Sequence, residues 1–166
     1  DSHFTTAIDE RTFAEIAAQD LIPFAKLNNT LKGIMPAHVI YSSVDSEPAG
    51  FSKFWLQQIL RQQLGFTGAI ISDCLSMIGS GVAANINIGI DRALHAGCDM
   101  VIVSRQTREH LLEILDATLW NVSEQQQARI AGLAGDFANL NLLMKQEIVR
   151  KGLKVLCHTT LKCWDA

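Results

Sequence analysis

Hydrophobic residues near the start of the chain follow two different spacings. Between residues 12 and 31 they recur every three or four positions, which predicts a helix with one apolar face, bent or broken at Pro23. The charged residues 9–11 are then expected in the first turn of that helix. Gly33 ends the helix, and the apolar run from Ile34 to Tyr41 predicts one buried strand.

Helical and strand-like patterns continue to alternate along the rest of the chain. Strands that alternate with helices in this way run parallel and are joined by right-handed crossovers, so the pattern predicts an α/β fold. The predicted elements are a helix from Ser52 to Gly65, a strand from Gly68 to Asp73, a helix ending at Gly97, a strand from Asp99 to Ser104, a helix over residues 107–120 and irregular helical segments to about residue 143.

Composition indicates one globular unit and narrows the possible partners. The 166 residues are 48% hydrophobic and carry a net charge of −3, with no basic stripe that would bind nucleic acid. The apolar runs are shorter than the roughly 20 residues of a membrane span, so no membrane partner is expected. The four cysteines lack metal-binding spacing, which favours reduced thiols in a cytosolic protein and argues against zinc: Cys74, Cys98, Cys157 and Cys163.

Asp73 is the clearest candidate for chemistry, because it ends a strand that is apolar on both faces. In α/β barrels the loops after the strand ends form the mouth of the active site. The alternative is that Asp73 only caps the next helix. His38 lies near the end of the predicted strand 34–41, where it either faces the same mouth or is a core histidine bonded to the backbone.

A series of motifs in a fixed order carries more information than any one of them. The motifs are Asp1-Ser2-His3, Asp9-Glu10-Arg11, Ile34-Met35-Pro36-Ala37-His38-Val39, Trp55-Leu56, Ser72-Asp73, Leu75-Ser76-Met77 and Ala96-Gly97-Cys98-Asp99-Met100. Together they resemble glycoside hydrolase family 3, in its branch of bacterial cytosolic β-N-acetylglucosaminidases. The resemblance extends to about Arg105, and Cys74 departs from it, since the family usually has a second Asp there.

The resemblance implies the C-terminal part of a (β/α)8 TIM-type barrel, with about three parallel strands and extra C-terminal helices. Three strands do not close a barrel, and a whole one typically takes about 250 residues. We therefore expect residues 1–166 to be the C-terminal half of a single catalytic domain. Its partner would be the N-terminal half of the barrel, and this part alone is expected to be inactive.

The resemblance also implies a retaining glycoside hydrolase that needs no cofactor and no metal. Asp73 is the expected nucleophile, His3 the expected acid/base and Asp1 the group that orients His3. Imidazole suits the acid/base role, because it titrates near neutrality and a carboxylate two residues away orients one ring nitrogen. His38 and Met77 are the candidate contacts to the sugar. Met77 either packs in the core, the simpler interpretation, or lies beside the N-acetyl group.

Two other functions are compatible with these residues. A metal-dependent hydrolase would use Asp1, His3, His38 and Asp73 as ligands, but the His-x-His pair typical of such barrels is absent from the sequence. A degenerate relative that binds sugar without cleaving it would explain Cys74. The presence of Asp1, His3 and Asp73 together argues against such decay.

The resemblance finally implies a biological setting. The branch removes terminal β-linked N-acetylglucosamine from peptidoglycan-derived muropeptides in the bacterial cytoplasm, through a covalent glycosyl-aspartate intermediate. The expected partners of this chain are therefore cell-wall fragments that contain N-acetylglucosamine.

Overall fold

The computed structural model describes residues 3–118 and 121–134 of the chain. Asp1, the last two residues of the predicted helix 107–120, two of the cysteines and the helical pattern predicted beyond residue 134 lie outside the described residues. No helix in the described ranges is long and apolar enough to span a membrane.

Short parallel strands alternate with helices, which confirms the predicted α/β fold. The strands are β1 (Ala7–Asp9), β2 (Gly33–Ile34), β3 (Val39–Tyr41), β4 (Ala69–Cys74) and β5 (Met100–Ile102). The helices are α1 (Phe13–Gln19), α2 (Leu21–Leu27), a π-helix (Phe54–Gln63), α3 (Ile86–Ala96), α4 (Arg108–Ala117) and α5 (Glu124–Ala131), with 3-10 turns at Ala49–Phe51 and Ile78–Ser80.

Strand β4 is the centre of the main sheet. The order of that sheet is β2-β4-β5, and both pairings are parallel. Ala69 and Ile70 are 0% exposed, as expected for a strand covered on both faces. The strand predicted from Gly68 to Asp73 is therefore confirmed, to within one residue at each end.

A buried carboxylate holds the N-terminal end of β4. Asp99, whose side chain is 4% exposed, accepts the backbone N–H of Ile70 (2.8 Å) and pairs with the guanidinium of Arg61 (2.7 Å). Arg61 also donates to the backbone carbonyl oxygens of Phe66 and Gly68. This network fixes the turn that leads into the strand.

The single strand predicted from Ile34 to Tyr41 is wrong. The segment forms β2 and β3, which belong to different sheets, and Pro36 lies in the connection between them. Proline has no N–H to donate to a ladder, so a strand does not continue through it unless it lies at an edge. Strand β3 pairs instead with β1.

Strand β1 also corrects the expectation for residues 9–11. Asp9 is the last residue of β1 and does not begin a helix. Its carboxylate binds the guanidinium of Arg11. Helix α1 starts later, at a capping box in which Thr12 accepts the N–H of Glu15 and the Glu15 carboxylate accepts the N–H of Thr12.

The predicted helix 12–31 divides into α1 and α2 at Asp20. Pro23 lies in the first turn of α2. Its ring clashes with the carbonyl four residues earlier, that of Gln19, which is the last residue of α1. Pro23 therefore breaks the helix as predicted, but the break falls almost one turn before it.

The predicted N-cap at Ser52 and the helix end at Gly97 are both confirmed. The Ser52 hydroxyl accepts the N–H of Trp55 (3.1 Å), and the π-helix that follows contributes to two apolar clusters. Gly97 has φ +121°, and a Cβ there would collide with the side chain of Gln57. Only glycine adopts that turn without strain.

Candidate active site

A cavity of about 230 Å³ opens at the C-terminal ends of β4 and β5. This is the end of a parallel sheet at which α/β barrels carry their chemistry. Among the residues that line it are His3, Asp73, Cys74, Ser76, Met77 and Arg105. Three residues predicted for one site, His3, Asp73 and Met77, thus face the same space although 74 positions separate the first from the last.

Asp73 lies at a β-bulge near the end of β4. The pairing with β5 joins Ile71 to Met100 but Cys74 to Ile102, so β4 has one residue more than β5 across this interval. Bulges of this kind redirect a side chain at the end of a strand. One carboxylate oxygen of Asp73, Oδ1, accepts the backbone N–H of Cys74 (2.7 Å), which fixes the orientation of the group.

His3 reaches the cavity from the N-terminal turn that precedes β1. The Thr6 hydroxyl donates to the carbonyl oxygen of Gly79 (3.2 Å), and Gly79 follows β4 in the loop that also carries Met77. This long-range hydrogen bond ties the turn of His3 to the loop of the candidate nucleophile. Asp1, the expected orienting group, lies outside the described residues.

His38 does not line this cavity. Its side chain is 0% exposed, and its Nε2 lies 3.0 Å from the carbonyl oxygen of Cys74. A carbonyl oxygen only accepts, so Nε2 carries the proton of this bond. These are the contacts of a core histidine bonded to the backbone, the alternative left open by the sequence, and a buried ring presents no surface to a sugar. His38 instead hydrogen-bonds to the backbone directly after Asp73.

Cys74 lies beside Asp73 with its thiol 3.0 Å from the Ser104 hydroxyl. Burial acts to raise the pKa of this thiol, but hydrogen bonds from the Ser104 hydroxyl and from the backbone of Ser76 and Ser104 outweigh it. The net pKa of Cys74 lies below the usual value for a thiol. By contrast, burial and the nearby Asp99 carboxylate raise the pKa of Cys98 to about 12.

Sequence reasoning assigned no role to three further lining residues: Ser76, Ser104 and Arg105. Arg105 has φ +56°, the one positive φ among the described residues other than glycine. Such a conformation costs free energy and persists where the surrounding structure imposes it, often at functional sites. Arg105 directly follows the predicted strand 99–104, so the strand-end rule that identified Asp73 also points to it.

The donors of the metal-hydrolase alternative are not assembled in the part of the chain that the structure describes. No three His, Cys, Asp or Glu side chains there are arranged to hold a metal ion. His38, one of the four expected ligands, is held at the Cys74 carbonyl instead.

Alkylation should distinguish the two described cysteines. The thiolate is the reactive form, so a lowered pKa makes Cys74 react with iodoacetamide at a lower pH than a free thiol does. Cys98 should remain unlabelled in the folded protein, and Ser104→Ala should move the midpoint for Cys74 to higher pH. Peptide mass spectrometry across a pH series measures each site. A Cys74 midpoint at or above that of free cysteine, or one that Ser104→Ala leaves in place, would contradict this assignment.

Comparison with known proteins places this chain in a family. The family model described as the glycosyl hydrolase family 3 N terminal domain matches residues 1–132. A beta-hexosaminidase of Idiomarina loihiensis is 48% identical over 130 residues, which cover 78% of this chain and 39% of that protein. One from Methylobacillus flagellatus is 46% identical over 136 residues, covering 81% of this chain and 39% of that protein. The chain thus spans about two-fifths of the length of these relatives.

Solved structures agree with the sequence relatives. NagZ from Neisseria gonorrhoeae, in complex with N-trifluoroacetyl-D-glucosamine, superposes with a TM-score of 0.75 and 32% identity, covering 91% of this chain and 44% of that one. The beta-N-acetylglucosaminidase from Thermotoga maritima superposes with a TM-score of 0.64 and 26% identity, covering 82% of this chain and 33% of that one. The resemblance read from the motifs is confirmed, and this chain belongs to glycoside hydrolase family 3.

Proposed function

We propose that this chain forms the catalytic end of a retaining β-N-acetylhexosaminidase that removes terminal β-linked N-acetylglucosamine from peptidoglycan-derived muropeptides. The observation that carries the proposal is the convergence of Asp73 and His3 on one cavity at the strand ends of a family 3 chain. Relatives that are 46–48% identical are named beta-hexosaminidase. The gonococcal relative was solved with an N-acylated glucosamine.

Asp73 supplies the nucleophile in this mechanism. Its Oδ1 is held by the Cys74 N–H, which leaves Oδ2 to attack the anomeric carbon. The bond from that carbon to the leaving oxygen breaks as the glycosyl-aspartate bond forms. A carboxylate at the end of a buried strand loses little orientational freedom on reaction, which lowers the entropic part of the barrier.

His3 supplies the acid and then the base. The protonated imidazole gives its proton to the leaving oxygen in the first step. In the second, neutral imidazole takes a proton from water, the water oxygen attacks the anomeric carbon and the Asp73 carboxylate is released. Asp1, two positions away in sequence, is proposed to orient the imidazole.

The remaining lining residues suit an N-acetylated sugar. Met77 and Ile78 form an apolar wall for the N-acetyl methyl group, while Arg105 offers hydrogen-bond donors to hydroxyl groups. No metal or cofactor is needed for this chemistry.

The chain is proposed to work with the N-terminal half of the barrel. In the described residues β2 and β5 each have one strand neighbour, β4, so their outer edges are open to pairing. Relatives of more than twice this length have room for the additional strands that a closed barrel needs. Residues 1–166 alone should therefore be inactive. We place the complete enzyme in the bacterial cytoplasm, without membrane or nucleic-acid partners.

A sugar-binding protein without hydrolytic activity is the second candidate. Cys74 favours it, since a thiol stands beside Asp73 where the family usually has a carboxylate. The two candidates differ in whether the complete protein turns over a β-linked substrate.

Asp73→Ala should abolish hydrolysis of a nitrophenyl β-N-acetylglucosaminide by the complete enzyme. Loss of a positioned nucleophile is expected to lower kcat by several orders of magnitude. The matched control is Asp116→Ala, an exposed carboxylate on α4, which should leave kcat unchanged. Retention of more than about a tenth of the wild-type kcat, a difference under about 1.4 kcal/mol, would remove Asp73 from this role.

His3→Ala should separate the two steps. Nitrophenolate leaves with little protonation, so the first step should slow far less on an aryl glycoside than on a natural disaccharide. The second step then limits turnover, and azide, which needs no base, should accelerate it and give a β-glycosyl azide. His110→Ala, an exposed histidine on α4, serves as the control. Equal losses on both substrates without azide rescue would show that His3 is not the acid/base.

A further inference from the structure

The bulge in β4 lies beside a side-chain hydrogen bond that joins β4 to β5. Three residue steps on β4, from Ile71 to Cys74, face two on β5, from Met100 to Ile102. The extra residue interrupts the hydrogen-bonded ladder at the position that carries Asp73. A backbone N–H left without an acceptor in a disrupted ladder costs about 1–3 kcal/mol, so a side-chain acceptor at this point stabilises the bulge.

Ser72 supplies that acceptor. Its hydroxyl accepts the N–H of Ile102 (3.0 Å), and the next bond, from the Leu75 N–H to the Ile102 carbonyl oxygen (2.9 Å), restores the pairing of the strands. Ser72 is 1% exposed, so no solvent competes for the bond. A side-chain oxygen thus binds β5 directly before Asp73.

A second hydroxyl secures the other side of the bulge. Ser76 donates to the carbonyl oxygen of Ser104 (2.6 Å) and accepts the N–H of Ser104 (3.3 Å). The loops that follow β4 and β5 are therefore joined just beyond Asp73. The chain is therefore hydrogen-bonded to β5 just before Asp73 and to the loop after β5 just beyond it.

We infer that Ser72 is a positioning residue for Asp73: its buried hydroxyl stabilises the bulge that directs the carboxylate into the cavity. This inference rests on the proposed function, in which Asp73 is the nucleophile. Without the hydroxyl, the bulge loses this bond, and the strands are freer to shift towards a regular register. Such a shift rotates Asp73 away from the anomeric carbon, and a misplacement of about 1 Å costs up to about 100-fold in rate.

The test measures the first chemical step of the complete enzyme in single turnover, with a nitrophenyl β-N-acetylglucosaminide and enzyme in excess. A first-order rate constant does not depend on the folded fraction, which changes only the amplitude. Ser72→Ala should lower the rate constant at saturation by about tenfold or more, with KM nearly unchanged. Ser72→Cys is similar in size but a weaker acceptor, so its rate constant should lie between those of Ser72→Ala and wild type. It replaces Ser72→Ala in the test if that variant does not fold.

Ser52→Ala is the matched control, because Ser52 is also a buried serine whose hydroxyl accepts a backbone N–H, that of Trp55. It should lower thermal stability and leave the rate constant within about twofold of wild type, a difference of under about 0.5 kcal/mol. Amide hydrogen exchange reports the bond itself, and Ser72→Ala should speed exchange at Ile102 by about tenfold.

Two results would overturn the inference. One is a Ser72→Ala rate constant within about twofold of wild type, and the other is unchanged exchange at Ile102. Failure of the proposed function is separate, since it would be seen as absence of turnover by the wild type or as full activity of Asp73→Ala.

Discussion

The burial of β4 between β2 and β5 is the constraint on which the rest of the structure depends. A strand covered on both faces has no water to satisfy its backbone, so every N–H and carbonyl needs a protein partner. At the N-terminal end, where the ladder begins, the Asp99 carboxylate accepts the N–H of Ile70. At the C-terminal end, where the ladder is interrupted by a bulge, the Ser72 hydroxyl accepts the N–H of Ile102. The position of Asp73 follows from these two bonds.

The two ends of β4 are held by different chemistry, and the difference matches their roles. The N-terminal end has a buried carboxylate, Asp99, that pairs with the guanidinium groups of Arg61 (2.7 Å) and Arg129 (3.4 Å). The C-terminal end is held by hydroxyls and a thiol, which add no fixed charge beside the carboxylate that we propose as the nucleophile. A stabilising network thus lies at one end of the sheet and the candidate active site at the other, as in barrels generally.

The sequence was sufficient for the features that depend on local pattern. The apolar run before Asp73 predicted β4, and Ser52 and Gly97 marked helix ends. It was insufficient for features that depend on very short elements or on contacts between residues far apart in the sequence. Strand β1 spans three residues, too few to show a period, and Pro36 divided a run that read as one strand. The bulge and the environment of Cys74 arise from contacts with β5 and Ser104, some 30 positions away, which no local pattern encodes. Their role could be read only from the structure.

Covalent trapping tests the central claim, that Asp73 attacks the anomeric carbon, most directly. An N-acetylglucosaminyl fluoride with a 5-fluoro substituent slows both steps but retains a good leaving group, so the glycosyl-enzyme should accumulate in the complete enzyme. Peptide mass spectrometry should then find one fluorinated sugar on the segment that contains Asp73, with fragmentation placing it on that carboxylate. A sugar on any other residue, or turnover of the fluoride with no labelled peptide, would contradict the account.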